Sequence, residues 1–412
     1  MKKIVIVTQY YPPEIGGGSQ RSVGFAEGLR DLGMDIVVIT PYPSYLMSKH
    51  EVKTNYKLYE KIEEDGYTIY RTFVYASDRG NYIKRILYYG SFMLSSLIVM
   101  LFKVGKIDYI LTIAPPLFTG ITGVFAKKFK KSKFFFDIGD LWPESATALG
   151  YLKSDSIIKF AQRLEHWIYR HTDMVNVVTK LTNERLSKSH SYIKKILYVP
   201  NFVNTDLIKH EPRDAALVEK YQLHDKLVFG YAGNIGSAQG LKIITEAAKL
   251  TRDYKEVVYF IIGDGVEKEL IEKEIKTNNL TNVILIPPVS RTDVIKYIML
   301  FDVMIIPLVH REIFRITIPS KLYESMAAEI PILLCVDGEA RKIMEEANCG
   351  IFVEPENAQM LSEKVIFFRN NKSAIKNLGK NGRTEAYNNF SRKFVVKRFY
   401  DELLKLSNVN EI

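Results

Sequence analysis

The chain has 412 residues, 47% of them hydrophobic and 25% charged. That ordinary globular balance excludes a disordered chain, a collagen-like chain and a polytopic membrane protein. Lys and Arg number 57 against 47 Asp and Glu, a net charge of +10, which admits nucleic acid, a membrane surface or an anionic substrate without choosing among them. At about 150 residues per domain, two or three domains are expected. The two cysteines, Cys335 and Cys349, sit in apolar segments, as small buried hydrophobes rather than a disulfide framework or a zinc site. Four apolar residues, Ile4 to Val7, are too few for a signal-peptide core of about 7–15, so a cytoplasmic location is expected.

The N-terminal half reads as alternating strands and helices. Ile4 to Val7 is a continuous β-branched run, as in a strand buried on both faces. Pro12-Pro13 ends it, and Gly16-Gly17-Gly18 leads into a helix with Val23, Ala26, Leu29 and Leu32 at helical spacing. Further strands are expected at Asp35–Ile39, Tyr109–Thr112, Lys133–Asp137 and Met174–Val178. A second series begins near Leu227, with strands at Leu227–Tyr231, Val257–Ile262, Val283–Ile286, Val303–Ile306 and Pro331–Val336. This alternation implies two parallel-sheet, Rossmann-like α/β domains, spanning 1–203 and 204–390, with a linker near 199–225. A terminal amphipathic helix follows in 391–412, with Phe394, Val395, Phe399, Leu403 and Leu404 on its apolar side. Parallel sheets place sites at the carboxyl ends of their strands, so two such domains facing each other would form a cleft.

Pro319-Ser320 suits a helix start and is followed by Lys321 and Glu324. A helix N-terminus offers free N–H groups and a favourable dipole to an anion. Lys321 adds a full charge, and Glu324, one turn on, is placed to accept from a ribose diol. A capping helix with a solvated Lys–Glu pair is the bland alternative. Gly233, Asn234, Gly236, Gln239 and Gly240 end another strand in a glycine-rich loop that allows close approach to a phosphate. Gly263-Asp264-Gly265 ends the next; each is equally readable as a turn. In the first domain, Gly17 and Gly18 and the run Asp137-Ile138-Gly139-Asp140-Leu141-Trp142-Pro143-Glu144 follow strands. The latter clusters three carboxylates around one tryptophan. No His-x-x-x-His or Asp-x-Asp is present, so no metal site is expected.

Ile86 to Phe102 is uncharged for 17 residues and flanked by Lys84-Arg85, Lys103 and Lys106. It is short and diluted for a span of about 20 apolar residues. A core helix and a monotopic contact beside a basic rim, aided by Lys127, Lys128, Lys130 and Lys131, are both open readings.

Taken together, the two-domain layout, the N-terminal glycine loop, Tyr231-Ala232-Gly233-Asn234-Ile235-Gly236, Gly263-Asp264-Gly265 and Pro319-Ser320-Lys321-Leu322-Tyr323-Glu324 resemble the retaining GT-B glycosyltransferases of family four. Asp140-Leu141-Trp142-Pro143-Glu144-Ser145 and Ala238-Gln239-Gly240-Leu241 resemble more narrowly a bacterial surface-polysaccharide branch containing colanic-acid and L-fucosamine transferases. The resemblance implies a GT-B fold with a cleft and a last helix crossing back onto the first domain. It implies transfer of a hexosyl or N-acetylaminosugar group, with retention, from a nucleotide sugar, UDP-linked, and no separate cofactor. The acceptor implied is a lipid-linked saccharide of capsule or O-antigen assembly at the inner face of the cell membrane. An anionic membrane surface, but no nucleic acid, is the implied further partner.

Carried over residue by residue, Gly233, Asn234, Gly236, Gln239, Gly265, Ser320, Lys321 and Glu324 would bind the donor. Gly17, Gly18, Asp140 and Glu144 would face the acceptor, and Asp140 and Lys321 would serve catalysis. Two positions depart from the pattern: Ile316 replaces the first Glu of the Glu, seven residues, Glu motif, and Gly139 replaces a usual His or Arg. A degenerate nucleotide-sugar-binding scaffold and a sugar-nucleotide epimerase remain as alternative readings.

Overall fold

The computed structural model describes residues 1–14, 16–43, 57–75, 82–148, 152 and 154–408. The chain divides into two units, Met1–Phe202 together with Arg392–Ile412, and Val203–Ser391.

Unit 1 runs through β1 (Lys3–Thr8), α1 (Gly17–Asp31), β2 (Asp35–Pro41), β3 (Tyr59–Glu64), β4 (Tyr67–Thr72), α2 (Tyr82–Phe102), β5 (Tyr109–Ala114) and α3 (Phe118–Lys130). It continues with β6 (Lys133–Ile138), α4 (Glu144–Ala148), α5 (Asp155–His171), β7 (Met174–Val177), α6 (Lys180–Ser189) and β8 (Ile196–Tyr198). The sheet order is β3-β4-β2-β1-β5-β6-β7-β8. Every pairing is parallel except the β3–β4 hairpin. Ile4, Val5, Ile6 and Val7 have no exposure, because helices cover both faces of the strand. The hairpin escaped the sequence reading: β3 is an edge strand rich in Glu and Lys, with no apolar run to mark it.

Unit 2 contains α7 (Ala215–Tyr221), β9 (Leu227–Ala232), α8 (Lys242–Leu250), β10 (Val257–Ile262), α9 (Lys268–Thr277), β11 (Val283–Ile286), α10 (Arg291–Ile298) and β12 (Val303–Pro307). After a 3-10 turn at Glu312–Ile316 come α11 (Ser320–Ala327), β13 (Ile332–Cys335), α12 (Glu339–Glu346), β14 (Gly350–Phe352), α13 (Ala358–Asn370) and α14 (Lys372–Asn389). Its parallel sheet has the order β11-β10-β9-β12-β13-β14. Cys335 and Cys349 are buried free thiols in its core.

The terminal helix α15 (Arg392–Asn408) belongs to unit 1, where it packs on α1. Val395, Val396, Phe399 and Leu403 are buried, and the Phe399 ring lies 5.1 Å from that of Phe25. Phe394, expected on the apolar side, is instead 39% exposed. The buried positions advance by three and four residues from Val396 and Val395, which turns Phe394 off the seam. Arg392 pairs with Glu27 and Lys195 with Glu402, fastening both ends of the helix to the unit.

Candidate functional site

In each unit the strand order reverses beside the first strand, β1 next to β5 and β9 next to β12. Open parallel sheets bind ligands at such switch points, beyond the carboxyl ends of the strands.

In unit 2 the loops after β9 and β10 are laced together there. Gly233 N donates to Ile262 O at 2.8 Å, Ile235 N to Asp264 O at 2.7 Å, and Glu267 N to Ile235 O at 3.0 Å. The loop after β12 joins them through Val309 N donating to Ala238 O at 3.0 Å. Glycine is required where the backbones of these loops cross, at Gly263 and Gly265. Gly263 has φ +147°, and a Cβ there would collide with the carbonyl oxygen of Gly233. Asn234 and Gln239 are joined across the loop by an amide hydrogen bond of 3.3 Å. Gly236 lies between them, and a Cβ on it would come 2.6 Å from Asn234 Nδ2 and 2.8 Å from Gln239 Oε1. A Cβ on Gly265 would come 2.9 Å from Asn234 Oδ1.

Lys321, in the first turn of α11, reaches this platform. A Cβ on Gly233, whose φ is +146°, would stand 2.6 Å from Lys321 Nζ. The same ammonium lies 5.0 Å from the centroid of the Tyr231 ring, within cation–π range. Tyr231 is held in turn by its hydroxyl, which donates to Asn234 O at 2.5 Å. Burial pulls the Lys321 pKa below its ordinary value, and the negative charge of Glu324 opposes the shift. Ser320 opens the helix, with Pro319 as its cap residue and no side-chain cap. Leu322 N is taken by Pro319 O at 3.0 Å, and the N–H groups of Ser320 and Lys321 have no acceptor within the helix; a cation from this helix start meets the glycine loop, which suits an anion.

The structure thus brings together Gly233, Asn234, Gly236, Gln239, Gly265 and Lys321, with Ser320 and Glu324 on the same short helix. Tyr231 is an addition. Its apolar strand context reads as core, and only the fold puts Lys321 over its ring. Ile316 is half-buried at the end of the 3-10 turn. The two arginines preceding α11 differ: Arg315 pairs with Glu312 at 3.6 Å and lies 3.9 Å from Asp337, whereas Arg311 donates to His310 O.

In unit 1, Gly17 and Gly18 form the exposed first turn of α1 after an uncapped Gly16 with φ +138°. Asp140 follows β6 and is solvent-accessible, although the protein around it desolvates the carboxyl enough to raise its pKa. Glu144 opens α4 and accepts from Arg185 at 2.7 Å. Asp137, grouped with these by sequence, is separated from them by burial. It is fully enclosed and accepts two 2.7 Å bonds from Arg21, so Asp137 belongs to a structural ion pair and only Asp140 and Glu144 are left for chemistry.

Residues 215–385 match the family described as glycosyl transferases group 1. The chain carries a group 1 glycosyltransferase domain. It is 27% identical over 294 residues to WcaI of Escherichia coli (strain K12), a glycosyl transferase assigned to colanic acid biosynthesis, covering 69% of this chain and 71% of that one. Among solved structures it resembles sucrose-phosphate synthase of Thermosynechococcus elongatus, with a TM-score of 0.77, 14% identity and coverage of 99% and 100%. It also resembles Anabaena HepE in complex with UDP-glucose, with a TM-score of 0.72, 13% identity and coverage of 98% and 100%. The two Rossmann-like units are those of the GT-B fold.

Proposed function

We propose that this glycosyltransferase moves a sugar, with retention, from a nucleoside-diphosphate sugar to a lipid-linked saccharide of a cell-surface polysaccharide. Unit 2 takes the donor, and Asp140 and Glu144 of unit 1 face the acceptor. The observation that carries the reading is the Lys321 ammonium against Gly233, at the start of α11. A diphosphate there meets a full positive charge, helix N–H donors and a backbone without side chains. The complex of HepE with UDP-glucose supports a UDP-linked donor.

In this reading the bond between the anomeric carbon and the diphosphate oxygen breaks first. Lys321 and the helix N–H groups stabilise the charge that develops on the leaving diphosphate, without a separate cofactor. The acceptor hydroxyl attacks the same face, and its proton passes to the departing diphosphate oxygen. The anion opposes the depression of the Lys321 pKa and keeps it protonated. Glu324 accepts from the ribose diol.

Ile316, where the pattern of the resembled family has Glu, favours a second reading, a donor-binding scaffold without turnover. Incubation with UDP-sugars and a lipid-linked saccharide, followed by product analysis, separates the two. Transfer supports the enzyme, an epimerised donor supports an epimerase, and donor-raised melting without product supports the scaffold. Calorimetry with UDP tests the site itself. A charge-assisted contact is worth about 1.5–3 kcal/mol, so Lys321→Ala is expected to weaken UDP binding about tenfold or more. Glu324→Ala is expected to weaken it too, with no further loss on removing the ribose diol. Unchanged affinity in both variants overturns the assignment.

A further inference from the structure

His166 in α5 and His190, the residue that ends α6, are 24 residues apart in sequence, yet the fold brings their imidazoles together in unit 1. Nε2 of one lies 3.0 Å from Nε2 of the other. The ring centres are 4.8 Å apart, with the planes at 86°. The backbone of His190 is tied on both sides, its N donating to Leu186 O at 2.8 Å and its carbonyl accepting from Ile193 N at 3.0 Å. Its ring stands edge-on to those of Tyr169 and Tyr192, with centres 5.7 and 5.6 Å away. His166 is exposed and His190 partly exposed, so the pair is open to small solutes.

The hydrogen bonds assign the nitrogens. Ser189 Oγ donates to Arg185 O at 2.8 Å, which uses its one proton. Its 2.6 Å contact with His190 Nδ1 therefore has the imidazole as donor. Neutral His190 then carries its lone pair on Nε2, the atom beside His166. Metal-bound histidines are oriented in this way, the second ring N–H donating to an oxygen. The distances agree with that use. Two metal–nitrogen bonds of about 2.05 Å at an angle of about 95° separate the nitrogens by about 3.0 Å. They put the ring centres about 4.7 Å apart, against about 5.3 Å for rings aimed straight at each other in a plain hydrogen bond. The angle is that of neighbouring positions in a tetragonal copper or nickel centre, whereas tetrahedral zinc calls for nitrogens about 3.3 Å apart. Glu165, the next carboxylate, is engaged by Tyr169 at 2.6 Å. The nearby cations are held by other groups, Arg185 by Glu144 at 2.7 Å and Arg170 over the Tyr192 ring at 4.9 Å.

We propose that His166 and His190 bind one divalent copper or nickel ion through their Nε2 atoms and so clamp α5 to the end of α6. Among the described residues no group of three or more His, Cys, Asp or Glu could hold a metal, so water fills the remaining positions of the ion. The sequence gives no sign of the site, because its two ligands come from different elements and not from one His-x-x-x-His helix face. The clamp goes beyond the transfer reaction and does not depend on it.

The test is equilibrium dialysis and thermal melting of the untagged, metal-stripped full chain with Ni²⁺, Zn²⁺ or Mg²⁺. Wild type is expected to take up one Ni²⁺ per chain and to melt higher with it. It is expected to hold Zn²⁺ several-fold more weakly and not to respond to Mg²⁺, a cation that prefers oxygen ligands. His166→Gln, an exposed change that keeps a hydrogen-bond donor for His190, is expected to weaken Ni²⁺ binding at least tenfold with the metal-free melting temperature unchanged. His190→Gln is expected to lose as much, and Ser189→Ala, which takes the oxygen from Nδ1, about tenfold. His171→Gln, at the end of the same helix, is expected to bind like wild type. No saturable uptake of Ni²⁺ by wild type, or unaltered uptake in His166→Gln or His190→Gln, overturns the proposal. So does Zn²⁺ bound more tightly than Ni²⁺, or Ni²⁺ bound with no rise in melting temperature. None of these readouts involves nucleotide, so failure here leaves the donor-site reading to its own calorimetric test.

Discussion

Arg21 holds both carboxylate oxygens of Asp137, Nε to Oδ2 and Nη2 to Oδ1, each at 2.7 Å. Both side chains are almost wholly buried, at 5% and 0% exposure. The remaining guanidinium protons go to Val199 O at 3.0 Å, Pro200 O at 3.0 Å and Asn201 Oδ1 at 3.2 Å. One residue of α1 thereby ties the sheet strand β6 to the segment that ends the first pass of unit 1. The pair is satisfied on every side, the condition under which a buried ion pair can be carried without large cost.

Removing one partner leaves the other charged and buried, which costs about 3–5 kcal/mol. Arg21→Ala and Asp137→Ala are each expected to destabilise unit 1 by that order. The double variant is expected to lose less than the sum of the singles, since neither charge is then stranded. Denaturant unfolding followed by a unit 1 tryptophan signal checks this; additive losses would remove the coupling.

Gly233→Ala is expected to abolish measurable UDP binding while leaving the secondary structure intact. The new Cβ must displace the Lys321 ammonium and take up a φ of +146°, which L residues rarely adopt. Calorimetry with UDP and a circular dichroism spectrum check both halves. A variant that binds like wild type would place the diphosphate away from Gly233.

Asp140→Asn is expected to lower kcat by about tenfold or more while the Kd for UDP stays within about twofold, because on the proposed reading Asp140 serves the acceptor and unit 2 the donor. The size follows from losing a charge-assisted hydrogen bond that orients the acceptor, about 1.5–3 kcal/mol. Equal losses in kcat and in UDP affinity would take Asp140 out of the acceptor-side role.

Glu165 supplies a pH test. Burial pushes its pKa up to about 7, the nearby charge of Glu144 adds to the rise, and the hydrogen bond from Tyr169 and the charge of Arg185 oppose it. The folded state therefore binds a proton that the unfolded state has released between about pH 4.5 and pH 7. Stability from this group is present at low pH and declines as pH rises through that window. Glu165→Gln, which keeps an acceptor for Tyr169, is expected to raise the melting temperature at pH 8, by an equivalent of about 1–3 kcal/mol, with little change at pH 5. Parallel melting curves across pH 5–8 in both proteins would contradict the buried carboxylate.

Much of this fold follows from short-range chemistry. Runs such as Ile4–Val7 and Val257–Ile262, short and rich in β-branched residues, read as strands covered on both faces, and the recurrence of such runs with helices between them points to two parallel sheets. Gly233, Gly263 and Gly265 mark loops at strand ends, and Pro319-Ser320-Lys321 marks a helix start with a cation. What those residues do to one another is a matter of distances across hundreds of atoms. Lys321 lies 90 residues from Tyr231, and nothing local says that its ammonium sits over that ring. Asp137 and Asp140 are three residues apart and look alike in sequence, yet one is sealed by Arg21 from a different helix and the other faces solvent. The same holds for the lysines after Phe125: Lys127 and Lys130 turn inward to Asp173 and Val104, while Lys128 and Lys131 turn out. Hydrophobic periodicity reports which side of an element avoids water, and that is a local property. Which charge finds a partner depends on elements brought together only when the sheet closes over its helices, so burial, pairing and the shifts of Lys321, Asp140 and Glu165 were decided by the tertiary structure.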